Sequence, residues 1–147
     1  MLTNIVVGTD GSSSAEKAVD HAISLAKAFG AKVTVVSAFK PVSEQQQREV
    51  AGEHLPGDIR HGVGPRDAVN QILDAAKARA AEAGVEASGL PVEGDPVTAL
   101  LDTAKSAGAD LIVVGNRGMQ GARRVLGSVP NNVSHHADCD VYIAQTT

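Results

Sequence analysis

The feature that most constrains the fold is a repeated alternation between short, continuous apolar runs and longer stretches whose apolar residues recur at helical spacing. The first run, Ile5–Val7, is typical of a strand buried on both faces. Strands are predicted at Ile5–Val7, Val33–Phe39, Val85–Val92, Asp110–Gly115 and Val141–Ala144. Strands that alternate with helices form a mainly parallel sheet with helices on both faces. We therefore predict a single α/β domain over residues 1–147.

The first helical stretch carries signals for both of its ends. Its apolar stripe consists of Ala15, Val19, Ala22, Ile23, Ala26 and Phe29. Residues 12–14 are serines suited to an N-cap, and Glu16 follows Ser13 at the spacing of a capping box. Gly30 is suited to the C-cap. The stripe therefore predicts a helix that buries one face.

Further helices follow the later strands, and one segment interrupts the alternation. These helices are predicted around Ala68–Ala80, from Pro96 to Gly108, and over Val125–Ala137. Residues 40–64 are rich in Gly, Pro and Gln and show little apolar periodicity. This composition predicts a long exposed connection with room for a short polar helix near Glu44–Ala51.

Composition argues against several classes of function. The net charge of −4 disfavours bulk attraction to nucleic acid or to an anionic membrane. The only aromatic residues, Phe29, Phe39 and Tyr142, are too few for a surface that stacks bases. The single cysteine, Cys139, excludes an intrachain disulfide and a Cys-rich metal cage. No apolar run approaches the length of about 18 residues that a membrane span needs, and no signal peptide is recognisable, so we expect a cytoplasmic protein.

Two strands end in loops that carry chemistry. The first strand runs into residues 8–14, and the fourth runs into the glycine-rich residues 115–128. In an open parallel sheet, ligands bind beyond the carboxyl ends of the strands where the strand order reverses. Glycines allow backbone N–H groups to approach a phosphate, a following helix adds its positive end, and Arg117, Arg123 and Arg124 add charge. The alternative is that the glycines only form turns and the arginines a solvated face.

The sequence resembles the universal stress protein (UspA-like) family over essentially its full length. The resemblance is carried by Val6–Ser12, Ala109–Gly115 and Leu126–Val129. It implies a Rossmann-like, adenine nucleotide alpha hydrolase-like sheet with the strand order 3-2-1-4-5. It also implies a homodimer through the last strand, Val141–Ala144, whose apolar edge would otherwise be exposed.

The nucleotide-binding branch of that family is known by the pattern G-x2-G-x9-G-[S/T]. This chain has Gly115-x2-Gly118 and then, after eight residues, Gly127-Ser128, which is one residue short. Both ends of the motif are therefore intact and its middle is shortened.

The resemblance implies an adenine nucleotide as ligand and transfers its binding positions residue by residue. They are Thr9, Asp10, Gly11, Ala38, Gly115, Arg117, Gly118, Gly127, Ser128 and Val129. Asp10 would lie near the nucleoside, main-chain groups at Ser37 and Ala38 would read adenine, and Mg²⁺ would bind through the phosphates. An Asp at this position is as often only a helix cap or an Asx turn. We expect Gly115→Ala or Gly127→Ala to abolish binding with little loss of folding, because a Cβ would intrude on the phosphate path.

The implied function is stress response or signalling, in which bound ATP changes the shape of the protein or its choice of partner. One alternative is a dimeric interaction protein that binds no ATP, and a variant of it is selectivity for AMP or cyclic AMP. Another is an ATP-cleaving enzyme of the adenylyl-transfer type. No G-x4-G-K-[S/T] motif occurs, and the first loop lacks the Ser-Gly-Gly-x-Asp-Ser pattern of the ATP pyrophosphatases. We therefore predict no catalytic residues and, at most, slow ATP hydrolysis.

The remaining candidates for a site are a histidine pair and a thiol. His135 and His136 are adjacent, so on a helix their side chains point about 100° apart and cannot easily share one metal ion. We interpret them as a solvated pair and predict no metal site. Cys139 has no sequence neighbour that would activate it, and we predict a buried or partly buried thiol.

Overall fold

The computed structural model describes residues 2–40, 64–116 and 128–146. In chain order the elements are β1 (Asn4–Gly8), α1 (Ser13–Phe29), β2 (Lys32–Phe39), α2 (Pro65–Glu82), β3 (Ala87–Glu93), α3 (Pro96–Ala107), β4 (Leu111–Gly115), α4 (Ser128–His136) and β5 (Asp140–Ala144). All five predicted strands are present, although β3 starts two residues later than predicted. The polar helix predicted near Glu44–Ala51 lies outside the described residues. Within the described ranges, no helix combines the length and the apolar character needed to cross a bilayer.

The five strands form one parallel sheet in the order β3-β2-β1-β4-β5, which confirms the predicted order. The chain starts in the middle of this sheet, builds outwards through β2 and β3, and then returns to place β4 on the other side of β1. Val7 of β1 lies beside Val113 of β4 in the register. The strand order therefore reverses between β1 and β4, whose carboxyl ends are neighbours.

Helices cover both faces of the sheet, as predicted. Ile5 and Val7 of β1 face α1 and α2, and Val6 faces α3 and α4. Leu111 and Val113 of β4 join the first of these two apolar layers, whereas the alternate residues of β4 join the second. Burial on both sides explains why β1 and β4 are continuous apolar runs and not alternating ones.

The ends of α1 correct two details of the predicted helix. The N-cap is Ser12, one of the three predicted serines, and its Oγ accepts a hydrogen bond from the backbone N–H of Ala15 at 3.2 Å. Glu16 is four residues after Ser12, so the predicted capping box of Ser13 and Glu16 is wrong. Phe29, predicted to be in the core, is 53% exposed. Gly30 ends the helix with a positive φ of 69°, and the next core position is filled by Ala31. The apolar stripe of α1 therefore stops at Ala26.

Asp110 ties the start of the described chain to the residue before β4. Its Oδ2 accepts hydrogen bonds from the Thr3 hydroxyl at 2.7 Å, the Thr3 backbone N–H at 2.8 Å and the Asn4 backbone N–H at 2.9 Å. Its own N–H donates to the carbonyl of Asn4 at 2.9 Å. The hydroxyl and backbone donors lower the pKa of Asp110 from 3.8 to about 2. These bonds help to set the register of β1 against β4.

We predict that Asp110→Asn makes stability less sensitive to acid. Because the pKa of Asp110 is lower in the folded than in the unfolded chain, its contribution is complete above the ordinary value of 3.8 and is lost as the pH falls through about 2. At neutral pH the wild type should therefore have a higher melting temperature than the variant. This difference should shrink as the pH falls from 3.8 to about 2. Thermal unfolding followed by circular dichroism from neutral to acidic pH measures it, with Asp102→Asn on the exposed side of α3 as control. A difference in melting temperature between wild type and Asp110→Asn that does not change with pH would contradict the lowered pKa of Asp110.

Candidate functional site

A cleft with a volume of about 170 Å³ opens where the strand order reverses. Its strand residues come from the carboxyl ends of three neighbouring strands: Gly8 of β1, Val36 and Ala38 of β2, and Val114 and Gly115 of β4. This is the position that the parallel sheet predicts for a ligand. The strands supply an apolar floor, since Val36 and Val114 are almost completely buried.

The first turns of three helices complete the walls of the cleft. Ser14 and Ala15 come from α1, Pro96 from α3, and Val129 and Pro130 from α4. The first turn of a helix has backbone N–H groups without a partner in the helix, and the helix dipole makes this end positive. Three such ends directed at one cleft favour an anionic ligand group.

The three helix ends are not electrically equivalent. The N-cap of α1 is the neutral Ser12, whereas the N-cap of α3 is Asp95, whose carboxylate accepts from the Thr98 N–H at 3.0 Å. That backbone hydrogen bond lowers the pKa of Asp95, so this carboxylate is charged at neutral pH. Its negative charge already satisfies the positive end of α3. Carboxylates also lie at the start of α1, where Asp10 accepts from the Ser12 N–H and Glu16 stands in the first turn. A ligand anion is therefore favoured most beside α4, whose first turn has no acidic residue, and the α3 side, where Leu100 lies, suits an apolar group.

The loop after β1 is a tight turn that places Asp10 at the rim. Thr9 is buried and its Oγ1 accepts from the N–H of Gly11 at 3.1 Å, while Asp10 Oδ1 accepts from the N–H of Ser12 at 2.9 Å. Gly11 has a φ of 83°, and a Cβ on it would lie 2.9 Å from Ile72. Asp10 therefore forms the Asx turn that was one of its two predicted roles, and its side chain also lines the cleft.

The structure brings together only part of the predicted binding set. Thr9, Asp10, Ala38, Gly115 and Val129 line the cleft. Two other members lie next to it: Gly11 lines a neighbouring groove between α1 and α2, and Ser128 is the exposed first residue of α4. Arg117, Gly118 and Gly127 lie outside the described residues, as do Arg123 and Arg124.

The expected role of Gly115 needs correction. A Cβ at this position would point away from the cleft towards Thr146, 3.3 Å from its Cγ2 and 3.4 Å from its Oγ1, with the Cβ of Ala18 at 3.9 Å. Such a Cβ would not intrude on the phosphate path, so the expected direct block by Gly115→Ala is wrong. An added Cβ would be closer to Thr146 than an ordinary van der Waals contact, so the Thr146 side chain would have to shift by a few tenths of an ångström. Gly127 lies outside the described residues, and the expectation for it stays a prediction.

The predicted binding set omits several residues of this region, of which two on α3 and a buried polar pair matter most. Pro96 and Leu100 of α3 line the cleft, although their spacing predicted only a helix start and a core position. Asn116 and Thr146 are buried polar residues, and Asn116 Oδ1 accepts from Thr146 N–H at 2.8 Å. The available signal was a polar Asn directly after the strongest apolar run, which indicates a buried side chain that needs a hydrogen-bond partner.

The histidine pair and the thiol lie away from the cleft. His135 and His136 are exposed in the last turn of α4. Cys139 is partly buried, and burial together with the nearby carboxylates of Asp140 and Asp110 raises the pKa of its thiol. In the ranges that the structure covers, no three His, Cys, Asp or Glu side chains gather in a way that could hold a metal ion.

Comparison with known proteins gives one family. The model of the universal stress protein family matches residues 1–145. The universal stress protein Rv1636 of Mycobacterium tuberculosis (strain H37Rv) is 42% identical over 145 residues, which cover 97% of this chain and 96% of the relative. The universal stress protein YxiE of Bacillus subtilis is 35% identical over 150 residues, covering 99% and 100%. Among solved structures, a universal stress protein in complex with cAMP superimposes with a TM-score of 0.75 at 36% identity, covering 99% of this chain and 98% of that one.

We predict that Gly115→Ala lowers stability by about 1–3 kcal/mol, the usual cost of overpacking, because the added Cβ meets the Thr146 side chain. The nearest contact is the Cγ2 methyl group, so the double variant Gly115→Ala/Thr146→Ser, which lacks that methyl, should recover much of the loss. Urea unfolding of the two single variants, the double variant and wild type measures the coupling between the two positions. Additive losses, or a Gly115→Ala variant as stable as wild type, would contradict this packing.

Proposed function

The chain belongs to the universal stress protein family, and we propose that it binds an adenine nucleotide in the cleft at the ends of β1 and β4. The observation that carries this proposal is the polarity of the cleft. One side offers the first turns of α1 and α4, and the other offers apolar residues beside a carboxylate-capped α3. A nucleotide has the same division into a charged and a flat, largely apolar part.

Backbone groups at the end of β2 support the placement of the adenine ring. β1 pairs with β2 as far as Gly8 and Val36, and the N–H of Thr9 then donates to the carbonyl of Val36 at 2.9 Å. β2 continues to Phe39 and stays paired with β3. Residues two apart on a strand direct their backbone N–H and C=O groups to the same side of the strand. The backbone groups of Val36 point towards β1, so those of Ala38 point to the same side, where β1 has ended and the cleft begins. Adenine presents an amino donor beside a ring-nitrogen acceptor, which one N–H and one C=O can read.

The opposite side of the cleft suits the phosphate. Gly115 brings the backbone close, Val129 belongs to the first turn of α4, and Ser128 begins that helix. Asp10 lies at the rim between the two parts, where we propose that it contacts the ribose. A divalent ion such as Mg²⁺ would bind through the phosphates and not to a cluster of carboxylates. Arg117, Gly118 and Gly127 remain proposed contacts from the glycine-rich segment.

The candidate ligands are ATP, AMP and cyclic AMP. A solved family member 36% identical to this chain is described in complex with cAMP, which supports a cyclic or short phosphate as ligand. The glycine motif of this chain is one residue shorter than the pattern for ATP binding, and this departure also favours a smaller phosphate group over a triphosphate. We propose that the bound nucleotide acts as a signal in a stress response and that the protein is cytoplasmic, with ATP hydrolysis at most slow.

The edge of the sheet at β5 supports a homodimer. Within the described residues β5 pairs with β4 on one side, and Tyr142 and Ile143 are 37% and 38% exposed. An apolar edge strand with unpaired backbone groups favours pairing with a second chain. We propose that two copies associate through Val141–Ala144, which is compatible with closed two-fold symmetry.

We predict that Ala38→Pro weakens nucleotide binding by about tenfold or more, because it removes one donor that faces the base. The fold should persist, since proline is tolerated where a strand N–H has no ladder partner. Isothermal titration with cAMP and ATP measures binding, and thermal unfolding checks the fold. Lys40→Pro, two residues further along and outside the cleft, is the matched control. Unchanged affinity in a folded Ala38→Pro variant would contradict the placement of the base.

For the dimer, we predict that Ile143→Asp shifts the protein towards the monomer, because a charge at the edge of β5 would be buried without a partner on association. Sedimentation equilibrium measures the shift. Leu90→Asp makes the same change at the opposite edge of the sheet, on β3, where Leu90 is 41% exposed, and should leave association unchanged. A monomeric wild type, or dissociation by Leu90→Asp alone, would contradict assembly through β5.

A further inference from the structure

Thr146, two residues after β5, forms hydrogen bonds both with the residue after β4 and with a residue of α1. Its backbone N–H and its hydroxyl donate to Oδ1 of Asn116 at 2.8 Å and 3.0 Å. Its carbonyl accepts from the Nζ of Lys17 on α1 at 3.3 Å. Thr146 is 4% exposed and Asn116 is 7% exposed, so the two bonds to Oδ1 are sheltered from water.

Each partner of Thr146 is one or two residues from a residue that lines the cleft. Asn116 follows Gly115, and the N–H of Asn116 donates to the carbonyl of Ala144 at 2.9 Å. Lys17 lies two residues after Ala15 in the first turns of α1. Gly115 also packs against the side chain of Thr146, because it lacks a Cβ on that side. Thr146 therefore connects the β4 wall of the cleft with the α1 wall.

The bonds to Asn116 are the stronger part of this connection. One amide oxygen accepts two buried donors, so the loss of that oxygen leaves both without a partner, at a cost of about 1–3 kcal/mol. The Lys17 side chain is exposed and its bond is long, so this contact adds less. Neither Asn116 nor Thr146 is among the described residues that line the cleft, so the pair acts through its neighbours.

We propose that Asn116 and Thr146 form a latch that positions the α1 and β4 walls of the cleft, and that both are positioning residues for the ligand. This inference rests on the proposed nucleotide site, which it extends to residues that touch no ligand. Coupling between two sites is reciprocal. If the closed latch favours ligand binding, then bound ligand must also favour the closed latch. Binding should therefore slow hydrogen exchange at the Thr146 amide as well as in the cleft.

The test uses full-length variants and two readouts, with cAMP and ATP as probes. Asn116→Ala removes the shared acceptor, and Thr146→Val removes only the hydroxyl donor at almost constant shape. Titration calorimetry gives affinity, and amide exchange by NMR gives the opening of the walls. The reporting amides are that of position 116, bonded to Ala144, and that of Ala15, bonded to Ser12.

We expect Asn116→Ala to weaken nucleotide binding about tenfold and Thr146→Val about threefold, in proportion to the buried bonds lost. Exchange should be faster at both reporting amides and unchanged at Val7 in the sheet centre. Thr146→Ser keeps both donors but loses the methyl group beside Gly115, so it should bind the probes more tightly than Thr146→Val. Thr103→Val removes a buried hydroxyl from α3, away from the latch, and should change neither readout.

Two sets of results would overturn the latch. One is an unchanged affinity and unchanged exchange at both walls in Asn116→Ala and Thr146→Val. The other is an equal loss of affinity in Thr103→Val, which would make the effect one of general stability. If wild type binds neither probe, the proposed function fails. The latch is then judged by exchange alone, and unchanged exchange at Ala15 would reject it.

Discussion

The pairing of β1 with β4 is the interaction on which the rest of the structure depends. Residues Ile5–Val7 lie in register with Leu111–Val113, and both runs are buried between two layers of helices. Because β4 returns to the side of β1 opposite β2, the strand order reverses at this pair. The reversal leaves a gap between helices on the two faces, and the gap is the cleft. Asp110, with its bonds to Thr3 and Asn4, secures the amino end of the same pair.

The cleft gains its chemical character from backbone more than from side chains. Three helices begin at its rim, and they differ in the acidic residues at their starts: Asp95 caps α3, Asp10 and Glu16 lie at the start of α1, and the first turn of α4 has none. The carboxyl end of β2 extends beyond β1 and presents the backbone of Ala38. A site built in this way needs few distinctive side chains, so a total of three aromatic residues is compatible with the proposed adenine ligand. The latch of Asn116 and Thr146 then links this backbone geometry to the segment after β5.

The sequence predicted those parts of the structure that depend on local pattern. Continuous apolar runs predicted β1 and β4, and glycines predicted the ends of α1 and α3, where Gly30 and Gly108 have positive φ. The position of the cleft followed from the parallel topology, and the family resemblance had named five of the residues that line it: Thr9, Asp10, Ala38, Gly115 and Val129. The local sequence pattern could not predict which way a side chain points or which distant residue it contacts. The Cβ direction at Gly115 and the bond from Thr146 to Asn116, thirty residues earlier, depend on the register of β4 with β5. The exposure of Phe29 likewise depends on where the chain turns after α1.

The central claim is that the cleft is a binding site for an adenine nucleotide, and one measurement tests it most directly. Wild-type protein, unfolded and refolded to remove any ligand carried through purification, is titrated calorimetrically with ATP, AMP and cyclic AMP, each with and without Mg²⁺. We predict saturable binding of at least one of the three with a Kd of about micromolar or below. A preference for AMP or cyclic AMP would agree with the shortened glycine motif, and a preference for ATP would show that the motif still holds a triphosphate. No binding of any of the three would contradict the claim and would leave a family member that acts through protein partners alone.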